Sequence, residues 1–185
     1  RLHAGGLSSR FNPKNLFVGV EGYLNLDLRD SGLADLSALK GVPLRVLEMR
    51  GCPVTDLSPL SESPLCTFSI AGTKISDLRP LRGMRTLKRL SAAGSAVADL
   101  SPLEGLSINW LDLTGTPVED LTPLRGMALN TLRIGGTRVG NLEPLSGMPL
   151  TELECFTVPA TDFTPLAGCR DLIYLRIHGT SLSSL

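Results

Sequence analysis

Residues 111–124 read LDLTGTPVEDLTPL, and the same frame returns as LEMRGCPVTDLSPL at 47–60, LRIGGTRVGNLEPL at 132–145 and a clipped LRIHGTSLSSL at 175–185. A motif recurring about every 21 residues along 185 residues means copies of one small unit stacked end to end. It does not describe a fold wrapped around one central core. A single unit is too small to bury its own apolar side chains, so each must cover its neighbours.

The copies are anchored on one apolar position: Leu26, Leu47, Phe68, Leu90, Leu111, Leu132, Leu153 and Leu175. Two residues later comes Leu28, Met49, Ile70, Ala92, Leu113, Ile134, Cys155 or Ile177. Apolar residues alternating with variable ones have the period of a strand, so each copy contributes one short strand. Successive strands are separated by a full circuit of chain and must therefore run parallel. A turn follows at Gly51-Cys52, Gly72-Thr73, Gly94-Ser95, Gly115-Thr116 and Gly136-Thr137. Glycine permits the bend, and its small partner is expected to bond main-chain groups of the neighbouring coil.

The DLxPL segment comes next, with its proline at Pro59, Pro80, Pro102, Pro123, Pro144 or Pro165. Proline suits the start of a helical turn and pushes the residue before it towards extended geometry. Ser58, Ser101, Thr122 and Thr164 precede proline and are the expected N-caps. A glycine usually arrives three residues after the proline, which leaves room for a 3₁₀ turn and no more. Asp35, Asp56, Asp77, Asp99, Asp120 and Asp162 form a column, each expected to accept hydrogen bonds from its own turn's backbone. Asn141 takes the place of one, and an amide oxygen serves equally.

Two copies are one residue longer, at 83–87 and 168–172, and the insertions fall on the return turn. Residues 23–185 thus form an array of about eight copies with the last truncated. Residues 1–22 fit worst: 2–11 resemble the end of a worn copy, and 12–22 an irregular link or cap. The chain opens on Arg1 and stops at Leu185 where the repeat would continue, as expected of a piece of something longer.

Apolar residues make up 42% of the chain but aromatics only 4%, so the core must be aliphatic. Eighteen basic and eighteen acidic side chains cancel. Without a basic excess or stripe, nucleic acid is not an expected partner. No apolar run reaches a membrane span, so direct membrane insertion is not expected. Cys155 and Cys169 occupy positions where other copies carry Leu113, Ile134, Met127 or Met148, and read as small buried hydrophobes. Cys52 and Cys66 show no zinc spacing. Free thiols, together with the absence of an Asn-x-Ser/Thr site, favour a reducing, cytoplasmic setting over a secreted one.

This pattern of LxxLxL, a turn, an apolar residue and DLxPL resembles the leucine-rich repeat, in the short bacterial class also seen in internalin-type proteins. The resemblance covers about residues 23–185. It implies a right-handed repeat solenoid with a concave parallel sheet and convex 3₁₀ segments, whose concave side commonly binds a protein or peptide. The family's turn asparagine is replaced here by Thr, Ser or Cys, so hydroxyl contacts are expected in place of its asparagine ladder. Variants with GT turns and GMPL links resemble arrays in large bacterial multidomain proteins, some with kinase modules.

Strand alternation identifies the side chains that leave the core on the sheet face. The C-terminal half is the richest in interface-forming types: Arg89, Trp110, Asp112, Arg133, Glu152, Glu154, Phe156, Tyr174, Arg176 and His178. Trp, Tyr and Arg dominate interface hot spots because they bury large rigid area beside polar groups. These ten residues are the expected partner site, although the copy containing Phe156 (CFTVPAT) departs from the usual turn and threatens a local shift of frame. His3 and His178 have no nucleophile at a motif-like spacing, and no HExxH, GxSxG or P-loop pattern occurs. Neither catalysis nor a cofactor is expected. Three roles follow from the resemblance: an interaction module in a larger protein, a surface adhesion module, or a spacer beside a catalytic domain.

Overall fold

A computed structural model describes residues 16–18 and 22–181 of the chain. Among the described residues, nine strands form one sheet in strict chain order. They are β1 (Leu16–Val18), β2 (Leu24–Asp27), β3 (Leu44–Glu48), β4 (Thr67–Ser69), β5 (Arg89–Ser91), β6 (Trp110–Asp112), β7 (Thr131–Arg133), β8 (Glu152–Glu154) and β9 (Tyr174–Arg176). From β2 to β9 every pairing is parallel. The register places Leu90 beside Leu111 and Leu111 beside Leu132, so the anchor leucines stack along one spine. The result is a right-handed solenoid with the sheet on its concave side.

The N-terminal boundary is more regular than the sequence suggests. β1 pairs antiparallel with β2, Leu16 opposite Leu26, and so covers the edge of the parallel array. The worn copy expected at residues 2–11 lies outside the described residues.

Among the described residues, seven 3₁₀ turns back the sheet: Ser37–Leu39, Ser58–Leu60, Arg79–Leu81, Ser101–Leu103, Thr122–Leu124, Glu143–Leu145 and Thr164–Gly168. Here the expected caps need correction. Ser58, Ser101, Thr122 and Thr164 are the first residues inside their turns, and the residue before each is the cap, without a side-chain capping bond. The pre-proline residue is therefore helical instead of extended. The aspartate two positions upstream supplies what a cap would. Ser58 donates its N–H to Asp56 Oδ1 at 2.8 Å and its hydroxyl to Asp56 Oδ2 at 2.7 Å. The same backbone bond recurs at Asp35, Asp77, Asp99, Asp120 and Asp162. At Asn141 the Oδ1 accepts the Glu143 N–H at 2.9 Å, as its place in the column requires.

The turn hydroxyls also behave differently from the expectation. Thr73, Thr116 and Thr137 are buried and donate to Ile70, Leu113 and Ile134 carbonyls three residues back, each at 2.7 Å. They close their own coil and reach no neighbour. Only Cys52 crosses over, its Sγ donating to the Leu28 carbonyl at 2.9 Å. Coils are laced at this corner by main chain instead. Gly72 N donates to Ala93 O at 2.7 Å, Gly94 N to Thr114 O at 2.7 Å, Gly115 N to Gly135 O at 2.8 Å and Gly136 N to Phe156 O at 2.8 Å. The geometry needs positive φ, which glycine adopts without strain. Asp30 (φ 53°) and Thr157 (φ 54°) hold the same conformation without being glycine. Thr157 N still donates to His178 O at 2.8 Å, so the frame of the CFTVPAT copy is preserved.

The core is one column running from Leu26 to Cys169, aliphatic as expected except for the buried rings of Phe68 and Phe163. The two longer return turns absorb their extra residue outside it: Met84 and Leu87 remain buried, and Phe68 still pairs with Leu90. All four cysteines are free, with Cys52, Cys155 and Cys169 buried. Burial pushes the Cys155 thiol up to about 12. Among the described residues no helix is long and apolar enough to cross a membrane, and no group of three His, Cys, Asp or Glu could hold a metal ion.

Candidate functional site

A strand of three residues turns its central side chain into the core and its two outer ones to the concave face. In β6 this buries Leu111 and leaves Trp110 and Asp112 partly exposed; β7 and β8 repeat the pattern around Leu132 and Leu153. The residue two positions beyond each strand, such as Phe156 or His178, adds a third row. Parallel pairing then sets these rows side by side at about 4.8 Å.

The structure brings nine of the ten expected residues into one connected strip. The Arg89 guanidinium lies 4.4 Å from the Trp110 ring centroid, and that of Arg133 lies 5.6 Å from it on the other neighbouring coil. Arg133 donates to Glu152 at 2.8 Å, and its Nε lies 3.1 Å from Glu154. Arg176 reaches the other Glu154 oxygen at 3.2 Å and stands 4.9 Å from the Phe156 ring. Phe156 stacks on His178 with centroids 5.0 Å apart and planes within 9°. Asp112 accepts the Thr114 N–H at 3.0 Å and adds negative charge near Arg133. Tyr174 is the exception. It pairs in register with Glu152 but stands half-exposed at the edge of the strip.

Phe156 owes its position to Gly135. A Cβ at residue 135 would lie 2.3 Å from the Phe156 ring, so only glycine lets the ring settle onto the next coil. Electrostatics hold the arginines in place. The hydrogen bond to Glu152, aided by Glu154 and Asp112, raises the Arg133 pKa above its ordinary value. The Glu154 side chain is only 13% exposed, against 30% for Glu152, and it is shared by two guanidiniums. The Arg133 Nε contact to Glu154 lacks hydrogen-bond geometry, which makes Nε the only buried side-chain donor left unsatisfied among the described residues. Such a strip offers rigid flat surface with charges fixed in advance.

A second feature escaped the sequence reading. Between Arg50 and Trp110 the concave face sinks into a cavity of about 270 Å³, floored by Thr67, Ser69 and Ser91 and rimmed by Glu48 and Arg89. Its signal was a run of small outward residues in adjacent copies (Ser69, Ala71, Ser91, Ala93), which a search for large ones passes over.

No family model matches the chain, and no curated protein does. Solved structures do. The chain is 29% identical to internalin C2 of Listeria monocytogenes, with a TM-score of 0.76, over 78% of this chain and 66% of that one. Against an internalin (InlF) of the same species the values are 22%, 0.56, 88% and 62%. The functional domain of Listeria monocytogenes InlJ, which includes a cysteine ladder, gives 23% identity and a TM-score of 0.59 over 78% of this chain and 32% of that one. The chain thus spans 66% or less of the length of these relatives.

Proposed function

We propose that this chain, which is a leucine-rich repeat protein of the short internalin-like class, recognises a partner protein or peptide on its concave sheet face. The observation that carries the reading is the strip itself. Arg89 and Arg133 flank Trp110, Arg176 and His178 flank Phe156, and Glu154 joins the two groups, which face outward with flat rings and guanidinium edges accessible. The amino-acid types are those that dominate binding energy at interfaces, and their order in the free chain lowers the entropy lost on binding. Cell-surface adhesion is a form of the same activity, and the likeness to internalins favours it as the second reading.

Affinity capture from the source organism with the wild type and two variants, followed by titration of the purified captured protein, tests the proposal. Trp110→Ala and Arg133→Glu are each expected to weaken the association by about 2 kcal/mol or more, roughly thirtyfold. If every association of the wild type survives both substitutions unchanged, the concave face is not the binding surface and the array acts as a spacer.

A further inference from the structure

We propose that the trough beside Trp110 receives an acidic side chain of the partner polypeptide, Asp or Glu, with an apolar neighbour laid against the tryptophan. This deepens the concave-face reading and rests on it. The cavity of about 270 Å³ has room for a side chain or two and is smaller than a typical drug-sized site. Its floor of Thr67, Ser69 and Ser91 is hydroxylic, and among the described residues no protein group engages those three hydroxyls.

Charge decides the occupant. The C-terminal arginines are already answered: Arg133 by Glu152 and Glu154, Arg176 by Glu154. Arg29, at the far rim, is held by Asp27 at 2.6 Å. Arg50 and Arg89 line the trough, and neither is in an ion pair among the described residues. Stacking on Trp110 fixes the Arg89 guanidinium while leaving its edge N–H groups unspent, the arrangement that binds a carboxylate through two parallel bonds. Glu48 is the one carboxylate in the lining, and its charge is felt by Arg29, at the opposite end of the lining from Arg89 and Trp110 in strand order. An incoming anion is therefore steered away from Glu48 and towards Arg89.

A polyanion is a poor fit. A nucleic acid or an anionic lipid surface extending along the face would run onto Asp112, Glu152 and Glu154 of the next strands. One carboxylate, followed by neutral or basic residues, matches what the strip offers.

Selection of random peptides displayed on phage against the wild-type chain, then titration of a synthetic selected peptide, tests the assignment. Trp110 is the only tryptophan and lines the trough, so its fluorescence reports binding directly. The selected peptides are expected to share an Asp or Glu beside an apolar residue. Replacing that acid by its amide, or substituting Arg50→Glu or Arg89→Glu, should each weaken binding about tenfold or more, whereas Glu48→Gln should strengthen it. Circular-dichroism melts establish that the variants remain folded, and Arg89→Gln serves if the charge reversal does not. Peptides without a shared acid, peptides indifferent to Arg50→Glu and Arg89→Glu, or failure to select any peptide overturn the proposal. Peptides lost on Trp110→Ala and Arg133→Glu but indifferent to the trough variants overturn it while leaving the concave-face reading intact. Phosphatidylserine vesicles and a single-stranded oligonucleotide are expected not to bind. Binding of either that is abolished by Arg89→Glu would reassign the trough to a different anion.

Discussion

Excising residues 108–128 removes a whole coil and Leu111→Asp changes one side chain, yet the substitution is expected to do more damage. Excision joins Ser107 to Leu129, and Leu129 is fully buried, as is the Ile108 it replaces. Leu132 then takes the place beside Leu90 that Leu111 held, and the parallel register continues. In a solenoid, stability is close to a sum of coil terms and nearest-neighbour interfaces, so the shortened chain loses one of each and keeps a continuous core. Leu111 itself is 0% exposed between Leu90 and Leu132. An aspartate there forfeits about 1.5–3 kcal/mol of burial. Keeping its carboxyl neutral at pH 7, about three units above the ordinary Asp value, costs about 4 kcal/mol more. The total, about 5.5–7 kcal/mol, is of the order of a whole domain's stability. Leu111→Ala, at about 2–5 kcal/mol, calibrates the scale. Urea unfolding followed by circular dichroism measures all three. The shortened chain should unfold cooperatively with a modestly lower midpoint, and Leu111→Asp should be largely unfolded or insoluble. Equal midpoints for the excision and Leu111→Asp would refute nearest-neighbour stacking.

Three further outcomes are expected. The Asp35, Asp56, Asp77 and Asp120 carboxyls are held below their ordinary pKa by bonds from their own turns. A depressed carboxyl contributes stability that is complete above its unfolded value and lost as pH falls through the folded one. Thermal stability should therefore drop below about pH 4, and a combined Asp56→Asn, Asp77→Asn and Asp120→Asn variant should flatten that fall by starting from a lower neutral-pH Tm. Iodoacetamide at pH 8 should label half-buried Cys66 first; Cys155, with its thiol at about 12, should react only on unfolding, as mass spectrometry would show. Thr157→Gly should raise Tm by relieving a left-handed β-branched residue, a strain of about 1–2 kcal/mol, and Gly136→Thr, at φ 68°, should lower it.

The amino-acid order carries the architecture because strand, turn and 3₁₀ segment each repeat with their chemistry intact. The anchor leucines and the aspartate column could be placed in three dimensions from spacing alone. Sequence misleads where a residue has two partners available. Ser58 and Thr122 look like caps because they precede proline, but an aspartate two positions earlier competes for the same bonds and wins. Thr73 looks like a rung to the next coil, yet a carbonyl three residues back is nearer. The outward row from Arg89 to His178 is legible in the sequence because large side chains announce themselves. The trough is not, because a depression is defined by small residues on two coils together, and no single copy contains it.

The lacing of coil to coil at the glycine corner is main chain to main chain apart from the Cys52 thiol, and none of it depends on which side chains the outward rows carry. Duplication or loss of 21 residues in a gene therefore lengthens or shortens the hollow by one rung, and every rung arrives with blank lettering. Recognition can be rewritten copy by copy without retuning the backbone that carries it, so relatives of this chain should differ most in partner and least in scaffold.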